Sequence, residues 1–359
     1  MSELTLIEQP LLGRYASAWN ALVDQAPLPT PFLRSWWLEH TSSGRPVFVL
    51  VLDGEVLVGG IALQEEQRRG GMRLRFMGSG PLCPDHLDLL AVPGREPEVV
   101  DALRTSLAAR DPAIVDLDGL RAGAFVTDCF DQRTVVQSAV APYLALDGPA
   151  SLVGRPTRAR WRKKHGLVHR MVTGEDADVA LSTVRSLHEQ RWGQESRFLP
   201  RFGQFESAAR EGMRRGELLL HELVAPGPGG GVVVAVSVVL NVAGRASYYQ
   251  VGRRTEPQWS GAGTAVLACS VAAAVDAGCH EFDFLRGTEP YKREWTTDER
   301  SISRLVADVG GRRAGAAVLA ASINARRWSS PYVYQARAFA RRKRSRFRAP
   351  AGEHGGERS

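Results

Sequence analysis

The sequence predicts an α/β protein with mixed sheets, arranged as two successive units of similar element order. Three observations carry this prediction. Apolar segments of alternating pattern, typical of strands, lie between segments whose apolar residues recur at helical spacing. The dipeptide Asp53-Gly54 joins two such strands and is a strong hairpin signal. The same element order then returns in the second half of the chain, which indicates a repeated architecture although the residues themselves are little alike.

The first unit is predicted over residues 1–150 and begins with two helices, the second of which has Pro31 near its start. Three strands, a fourth strand, a helix and a fifth strand follow. The predicted elements are helices 12–26 and 31–43, the hairpin 46–69, strands 72–80 and 87–94, helix 96–110 and strand 113–120.

The second unit is predicted over residues 151–312, after a stretch at 147–156 that contains Gly, Pro and Ser. Its predicted elements are a short basic helix 156–167, strand 168–174, helices 176–193 and 202–217, strands 218–225, 232–244 and 245–254, helix 264–279 and strand 280–287. We expect residues 313–359 to be a helical, basic and partly disordered tail.

Composition and the N-terminal sequence indicate a soluble protein of the cytoplasm. The 359 residues are 44% hydrophobic and 24% charged, both ordinary values for globular chains. Residues 1–15 lack the basic segment and apolar core of a signal peptide. We expect no apolar run of the roughly 18 residues that a membrane span requires.

The four cysteines show no CxxC spacing. This argues against a metal site and against a disulfide framework, so no metal is predicted. We expect buried free thiols in a reducing compartment.

Positive charge is concentrated near the end of the chain. Residues 336–348 hold seven basic residues and no acid, and the last eleven residues contribute one net negative charge. Since the whole chain carries +7, residues 1–335 carry only +1. The tail can bind an anionic membrane surface or nucleic acid, or it can be a solvated end.

The most specific local pattern is QWSGAGT, residues 258–264, between a predicted strand and an alanine-rich helix. The first N–H groups of a helix are unpaired and its dipole is positive at that end, so phosphate binds there readily. Gly261 and Gly263 leave space for an anion to approach the backbone. The pattern indicates a phosphate site, although glycines before a helix also serve as plain turn residues.

This loop also carries a family resemblance. Gln258, Gly261 and Gly263 fit the Q/R-x-x-G-x-G/A loop of the GNAT acetyltransferases, which holds the pyrophosphate of acetyl-CoA or another acyl-CoA. The segments LHEQRWG, GELLLHELVA, the Gln258 loop and FDFLRGTEPYKREW occur in this order. Together they resemble the BioF-like acetyltransferases, called CelD or BcsL in cellulose biosynthesis, which are distant relatives of the FemABX aminoacyl transferases. The resemblance covers residues 30–310. One departure is Ser260-Gly261-Ala262, where the family often has Ser-Pro-Gly.

The resemblance implies tandem GNAT-like domains, of which the first lacks a CoA site. It also implies acetyl-CoA or another acyl-CoA as co-substrate, with the pantetheine arm between the strands 245–254 and 280–287. The residues that it assigns to CoA binding are Tyr249, Gln250, Val251, Gln258, Gly261, Ala262, Gly263 and Thr264.

Acyl transfer from a thioester to an amine needs a proton acceptor, donors for the oxyanion and an acid near the leaving thiolate. Asp283 and Glu289 are the candidates for the base. Tyr291 resembles by position the tyrosine that many GNAT enzymes use as the acid. Asp283 can instead bond backbone or pair with a base, and Glu289 can instead cap the helix that Pro290 begins.

Further side chains are candidates for acceptor binding. His188, Arg191 and Trp192 lie on the helix 176–193, which lines the acceptor side if the GNAT comparison holds. His188 and Trp192 can instead be a buried hydrogen-bonder and a core residue. Arg286 and Lys292 complete the set; Lys292 can bind a CoA phosphate or substrate, or only pair with an acid.

The basic cluster RPTRARWRKKHGLVHR, residues 155–170, holds seven Lys or Arg residues. It predicts a solvated helix between the units, or a surface for an acidic acceptor, a tRNA-borne donor or the CoA 3′-phosphate. The leading hypothesis is an acyl-CoA-dependent acyltransferase that acetylates an amine by direct attack. The alternatives are a FemABX-like transferase that uses aminoacyl-tRNA, and a non-catalytic binding protein with a basic tail.

Overall fold

The structure is a computed structural model, and it describes residues 4–68, 71–146, 162–163, 165–227, 231–296, 298–310 and 315–323. The basic tail at 336–348, the unit boundary at 147–156 and most of the predicted basic helix 156–167 lie outside the described residues.

The described chain forms strands that all belong to one sheet. They are β1 (Leu4–Gln9), β2 (Arg45–Asp53), β3 (Val56–Arg68), β4 (Gly71–Phe76), β5 (Leu90–Ala91), β6 (Ala113–Leu120), β7 (Arg133–Ala145), β8 (Val168–Met171), β9 (Leu218–Ala225), β10 (Val232–Val242), β11 (Arg245–Arg253), β12 (Glu281–Asp283) and β13 (Asp298–Val309). The α-helices are α1 (Ala16–Gln25), α2 (Ser35–Thr41), α3 (Glu96–Ala108), α4 (Ala177–Trp192), α5 (Phe202–Arg214), α6 (Ala262–Asp276) and α7 (Pro290–Arg293).

The strand order is β1-β2-β3-β4-β6-β13-β7-β12-β11-β10-β9-β8, and β5 pairs with β3. The pairs β4–β6 and β11–β12 are parallel, whereas the other pairs in this order are antiparallel. The predicted mixed α/β fold is therefore confirmed. The Asp53-Gly54 hairpin is also confirmed, because β2 and β3 pair antiparallel with Asp53 opposite Val56.

The two halves of the chain exchange strands. β13, which follows all other strands in sequence, lies between β6 and β7 of the first half, with Arg304 opposite Asp118. β7 in turn continues the sheet into the second half, where Leu144 pairs with Phe282 on β12. The sequence analysis misses β1, β7 and β13. Pro142 inside β7 weakens the strand pattern, because proline is uncommon in the interior of a sheet.

Helices cover both faces of the first-half sheet. Gly59 and Gly60 are neighbours on β3 and face opposite sides, towards Val99 of α3 and Trp19 of α1 respectively. A side chain at Gly60 would lie 3.2 Å from the Trp19 ring, so the glycine allows α1 to pack closely. Trp19 also contacts Phe48 edge to face at 5.6 Å between ring centroids.

In the second half, α6 packs against the sheet. Leu267 and Val271 contact Ala246 and Tyr248 of β11 in one buried cluster, and Val266 belongs to a second cluster that includes β9 and β10 residues. Residues Pro257–Asp276 are long and apolar enough to cross a membrane by length and composition, contrary to our expectation that no segment is. The buried contacts of α6 are those of a core helix.

Arg286 joins the two halves. Its Nη1 donates to Asp118 Oδ2 at 2.9 Å and its Nη2 donates to the Pro84 carbonyl at 2.9 Å. Its Nε donates to Asp85, and its backbone N–H donates to Asp85 Oδ2 at 2.7 Å. Gly119 allows this approach, because a Cβ there would lie 2.9 Å from Arg286 Nη2 and 2.5 Å from the Pro84 oxygen.

We predict that Gly119→Ala destabilises the fold much more than Gly54→Ala. Both glycines have positive φ, +90° and +61°, so either alanine costs about 1–2 kcal/mol in backbone strain. Only at Gly119 does the new methyl group also meet other atoms, which adds roughly 1–3 kcal/mol. Urea unfolding measures both free energies, and equal losses in the two variants would contradict the close packing at Gly119.

Candidate functional site

The parallel strands β11 and β12 separate after three residue pairs. Their pairing runs from Arg245 opposite Glu281 to Ser247 opposite Asp283. β12 ends there, whereas β11 continues to Arg253. Leu285 has φ +57° and turns the chain, so the strand that was predicted over residues 280–287 ends at Asp283. The separation leaves a gap beside the second part of β11.

A β-bulge in β11 lies at the start of this gap. Val239 pairs with Tyr248 and Val238 pairs with Gln250, so Tyr249 is the extra residue. A bulge bends a strand and increases its twist. The Tyr249 hydroxyl donates to the Leu82 carbonyl at 2.9 Å, which ties the bulge to the first half of the chain.

The gap contains an inner cavity of about 340 Å³. The first half supplies part of its wall through the segment 81–85, which the sequence analysis did not assign to a site. Nine of the predicted site residues line this cavity, namely Arg191, Trp192, Tyr249, Gln250, Val251, Arg286, Glu289, Tyr291 and Lys292.

An outer cavity of about 190 Å³ lies next to it and includes the predicted residues Gly261, Gly263 and Thr264. The two cavities share the lining residues Arg191, Tyr248, Val251 and Tyr291, so they are adjacent, and we call them together the cleft. Arg253, Tyr248 and Ser260 also line the cleft and were missed from the sequence. The one feature of the sequence that could have identified them is their position next to the assigned residues.

The outer end of the cleft has features that suit an anion. Gly261, with φ +101°, is the N-cap of α6, and a positive φ of this kind favours glycine. The N-terminal N–H groups of α6 therefore begin at the wall of the outer cavity. Arg253 adds positive charge, with its Cδ 3.1 Å from where a Cβ on Gly263 would lie. Gln258 is exposed on the preceding 3-10 turn and Ala262 is buried, and neither lines the cleft.

Glu289 and Tyr291 meet at the inner end. The Glu289 side chain is 54% exposed, makes no capping hydrogen bond to α7, and instead pairs with Lys292 Nζ at 2.9 Å. Tyr291 lines both cavities. Burial and then the nearby Glu289 raise the pKa of the Tyr291 hydroxyl, so it holds its proton at neutral pH. A half-exposed carboxylate and a protonated phenol thus face the same space.

Asp283 is placed differently from what a base requires. Its carboxylate is fully buried, lies 2.7 Å from His86 Nε2 and 3.0 Å from Arg245 Nη2, and does not line the cleft. Burial alone would raise the pKa of this carboxyl, but His86 and Arg245 outweigh it and hold the pKa far below its ordinary value. Asp283 therefore pairs with the basic side chains His86 and Arg245, which is the alternative to a role as catalytic base.

Lys292 and Arg286 line the cavity, but their polar groups bind protein atoms. Lys292 Nζ donates to the Arg286 carbonyl at 2.9 Å and the Leu285 carbonyl at 3.2 Å, and pairs with Glu289. These contacts hold the turn after β12. Because Arg286 is committed to Asp85 and Asp118, we see both cations as supports of the cleft wall.

The predicted acceptor residues on α4 divide into two groups. Arg191 and Trp192 line the inner cavity, and the Arg191 guanidinium lies 4.9 Å from the Trp192 ring centroid. His188 is buried, bonds Ser196 Oγ at 2.9 Å and does not line the cleft. Burial and then Arg191 lower the pKa of His188. His188 is thus a buried residue that makes a hydrogen bond, as one of the two predictions had it, and it is not placed to contact a substrate in the cleft.

Two sequence expectations concern cysteines and the basic cluster. Cys129, Cys269 and Cys279 are buried free thiols, but Cys83 is exposed and lines the inner cavity. Among the described residues there is no group of three His, Cys, Asp or Glu side chains that could hold a metal ion. In the described part of the basic cluster, Arg170 Nε binds Glu222 at 2.7 Å.

Comparison with known proteins agrees with this geometry. Residues 155–293 match the family model of the Acetyltransferase (GNAT) domain. A search of curated protein sequences finds no match.

Solved structures of similar fold cover most of the chain. The crystal structure of FemX has a TM-score of 0.63 and 10% identity, covering 85% of this chain and 98% of that one. A conserved protein of unknown function from Bacteroides thetaiotaomicron has a TM-score of 0.57 and 8% identity, with 84% and 99% covered. L-PGS from Bacillus licheniformis has a TM-score of 0.54 and 11% identity, with 83% and 93% covered. At these identities the likeness shows the fold alone.

The family match and the fold together define the class of protein. The chain has the acyl-CoA N-acyltransferase fold, and its residues 155–293 match a GNAT acetyltransferase domain. The predicted GNAT resemblance is confirmed, and membership of the BioF-like or CelD group stays a prediction.

We predict that Asp283→Asn destabilises the protein by roughly 3 kcal/mol at pH 7, because it removes the buried negative charge between His86 and Arg245 and leaves Glu281 as the remaining carboxylate at Arg245. The folded-state pKa of Asp283 is depressed, so its contribution is present above the unfolded pKa of about 3.9 and is lost as pH falls below it. The gap between variant and wild type in urea unfolding therefore narrows from pH 5 towards pH 2.

Asp101→Asn is the matched control. Its side chain is 70% exposed and pairs with Arg104 on the helix surface, so the loss stays within about 0.5 kcal/mol. A stability difference for Asp283→Asn that did not depend on pH would contradict the assigned ion pair.

Proposed function

We propose that the chain transfers an acetyl group from acetyl-CoA to an amine of an acceptor, by direct attack within the cleft. One observation carries the proposal. The cleft consists of two adjacent cavities that share four lining residues, with the N-terminus of α6 at the outer cavity and Glu289 and Tyr291 at the inner one. An acyl donor with a pyrophosphate at one end and a thioester at the other has the chemistry for such an arrangement.

The outer end suits the pyrophosphate. The N–H groups of the first turn of α6 and the positive helix dipole favour an anion there. Arg191 and Arg253 line the same cavity and supply two cationic side chains. Burial and then the nearby positive charge of Arg253 lower the pKa of Arg191.

The middle of the cleft suits an extended amide-bearing arm. β11 continues from Tyr248 to Arg253 after its pairing with β12 has ended. A strand edge of this kind binds extended chains through main-chain hydrogen bonds. Tyr249, Gln250 and Val251, assigned to CoA binding from the sequence, lie on this edge and line the inner cavity.

The inner end supports the proton transfers of acyl transfer to an amine. The amine forms the C–N bond to the acetyl carbon while the C–S bond breaks, so one proton leaves the nitrogen and one reaches the sulfur. Glu289 is the carboxylate in the cavity that is exposed enough to take the first, directly or through water. The Tyr291 hydroxyl, which holds its proton at neutral pH, supplies the second.

A second donor class follows from the fold. The likeness to FemX shows the same architecture, and the sequence resemblance to FemABX transferases allows an aminoacyl-tRNA donor. The anion site at α6 favours acetyl-CoA, because a donor without a pyrophosphate has no use for it. Calorimetry with acetyl-CoA separates the two, since an aminoacyl-tRNA-dependent enzyme leaves the titration flat at millimolar CoA.

We predict that Gly263→Glu weakens acetyl-CoA binding at least tenfold, which is about 1.4 kcal/mol. The new carboxylate enters the first turn of α6 beside the flexible Arg253 side chain, so the fold tolerates it while the anion site loses its charge preference. Isothermal titration calorimetry measures the dissociation constant.

Gly203→Glu is the matched control, because Gly203 lies in the first turn of α5 with no atom within 4 Å of its Cβ position and does not line the cleft. This variant keeps the wild-type affinity. Equal weakening in both variants would mean that CoA does not bind at the α6 N-terminus.

We predict that Tyr291→Phe lowers the turnover number by roughly 10²–10⁴ and leaves acetyl-CoA affinity within about threefold. The variant removes only the hydroxyl that protonates the departing thiolate. Release of free CoA thiol with a panel of primary amines measures the rate, and calorimetry measures affinity.

The pH profile gives an independent check. Because the pKa of Tyr291 is raised above the usual value of about 10, the wild-type rate does not fall through loss of this proton between pH 7 and pH 10. A Tyr291→Phe enzyme with full turnover would remove Tyr291 from the mechanism.

A further inference from the structure

We infer that the acceptor carries an anionic group, phosphate or carboxylate, and that Arg73 and Arg75 of β4 bind it on the first-half sheet. The inference rests on the proposed function, since it names the chemistry of the second substrate. It uses a set of charged side chains outside the CoA-binding part of the cleft, and we call their side of the sheet the polar face.

Strand register defines the polar face. Leu74 pairs with Val115 in the parallel β4–β6 ladder, which places Arg73 and Arg75 on the same side as Asp116. The β6–β13 pair Asp118 and Arg304 continues this side across the exchanged strand. The opposite side of β4 carries Leu74 and Phe76, which belong to the apolar core.

One buried carboxylate on this face lies among three guanidiniums. Asp116 is fully buried and accepts two hydrogen bonds from Arg304, at 2.6 and 2.8 Å. Arg73 Nη1 and Arg75 Nε are 3.5 and 3.8 Å from its Oδ2, which is longer than a good hydrogen bond. The carboxylate is therefore committed to Arg304, and the other two cations are only loosely neutralised by it.

Arg73 and Arg75 each have a hydrogen-bond donor that binds no acceptor in the described part of the chain. Among the described residues, the Nε groups of Arg73 and Arg75 are buried and make no hydrogen bond. A buried charged donor without an acceptor is costly. Glu66 accepts from Arg75 Nη1 at 3.2 Å but does not reach either Nε as an acceptor. The Arg73 and Arg75 side chains are 26% and 16% exposed, so part of each side chain is open to solvent although its Nε is buried.

The polar face adjoins the wall of the cleft. Arg286 donates to Asp118, which lies on this face, and Arg286 itself lines the inner cavity. Arg75 Nη1 is 4.0 Å from the Cβ position of Gly80, the residue before the segment 81–85 that forms the cavity wall. The loop that contains Gly80 and the segment 81–85 therefore lies close to Arg75 and also forms a wall of the inner cavity.

The experiment titrates inorganic phosphate, and separately acetate, into full-length protein saturated with CoA, followed by isothermal titration calorimetry. CoA occupies the α6 site, and the loss of binding in Arg73→Gln separates the polar face from the other basic segments of the chain. We expect saturable binding of at least one of the two ions by the wild type, and the ion bound more tightly identifies the anionic group.

Arg73→Gln is the test variant and Arg68→Gln is its matched control. Arg68 is on the same face, but its side chain is 58% exposed and paired with Glu66. We expect Arg73→Gln to weaken anion binding at least tenfold and Arg68→Gln to stay within threefold. Absence of anion binding by the CoA-saturated wild type, or equal loss in the two variants, would overturn the inference.

The two proposals fail separately. CoA affinity is measured in the same samples and is unchanged in Arg73→Gln if the polar face serves only the acceptor. If the wild type does not bind CoA, the donor assignment fails. Anion binding is then tested without CoA, and it supports the inference when Arg73→Gln removes it and Gly263→Glu does not.

Discussion

The guanidinium of Arg286 is the contact on which the arrangement of the two halves depends. It comes from the turn after β12 and binds a carboxylate on β6, and it also binds a carboxylate and a backbone carbonyl in the loop between β4 and β5. Removing one partner of a buried ion pair costs several kcal/mol, because the other charge is left without compensation. This cost fixes the segment 81–85 against the second half. The cleft therefore has a wall from the first half, and Lys292 holds the same turn from the other side.

The two halves use one architecture differently. Both contain a parallel strand pair that ends early, β4–β6 after Leu74 and β11–β12 after Ser247. In the first half, the segment around Leu87 occupies the position beside β6. The Leu87 backbone N–H donates to the Gly119 carbonyl at 2.8 Å, and Leu87 forms an isolated β-bridge with Leu120. In the second half the strands remain apart and the cleft lies between them. The repeated fold thus gives one filled position and one open position.

The elements that depend on interactions between residues near in sequence were predicted from the sequence. Helical periodicity located α1, α3, α4, α5 and α6, the Asp53-Gly54 turn located a hairpin, and Gly261 marked the start of α6 beside a cavity. The segment after β12 was predicted to supply Glu289 and Tyr291, and both line the inner cavity, while Tyr291 also lines the outer cavity with Gly261. The misses depend on partners distant in sequence. Asp283 looked like a base because neither His86 nor Arg245 could be placed beside it, and β7 and β13 show their role only when the other half is present.

The position of β13 also sets an order for folding. β6 and β7 are separated by a strand that the ribosome makes more than 150 residues later, so both present open edges until residues 298–309 have emerged. Open strand edges are templates for pairing with other chains, and long-range strand pairing is slow. The first half can collapse early around its helices, but its sheet closes last. During translation there is therefore a long interval in which β6 and β7 have been made but β13, the strand that pairs with both, has not.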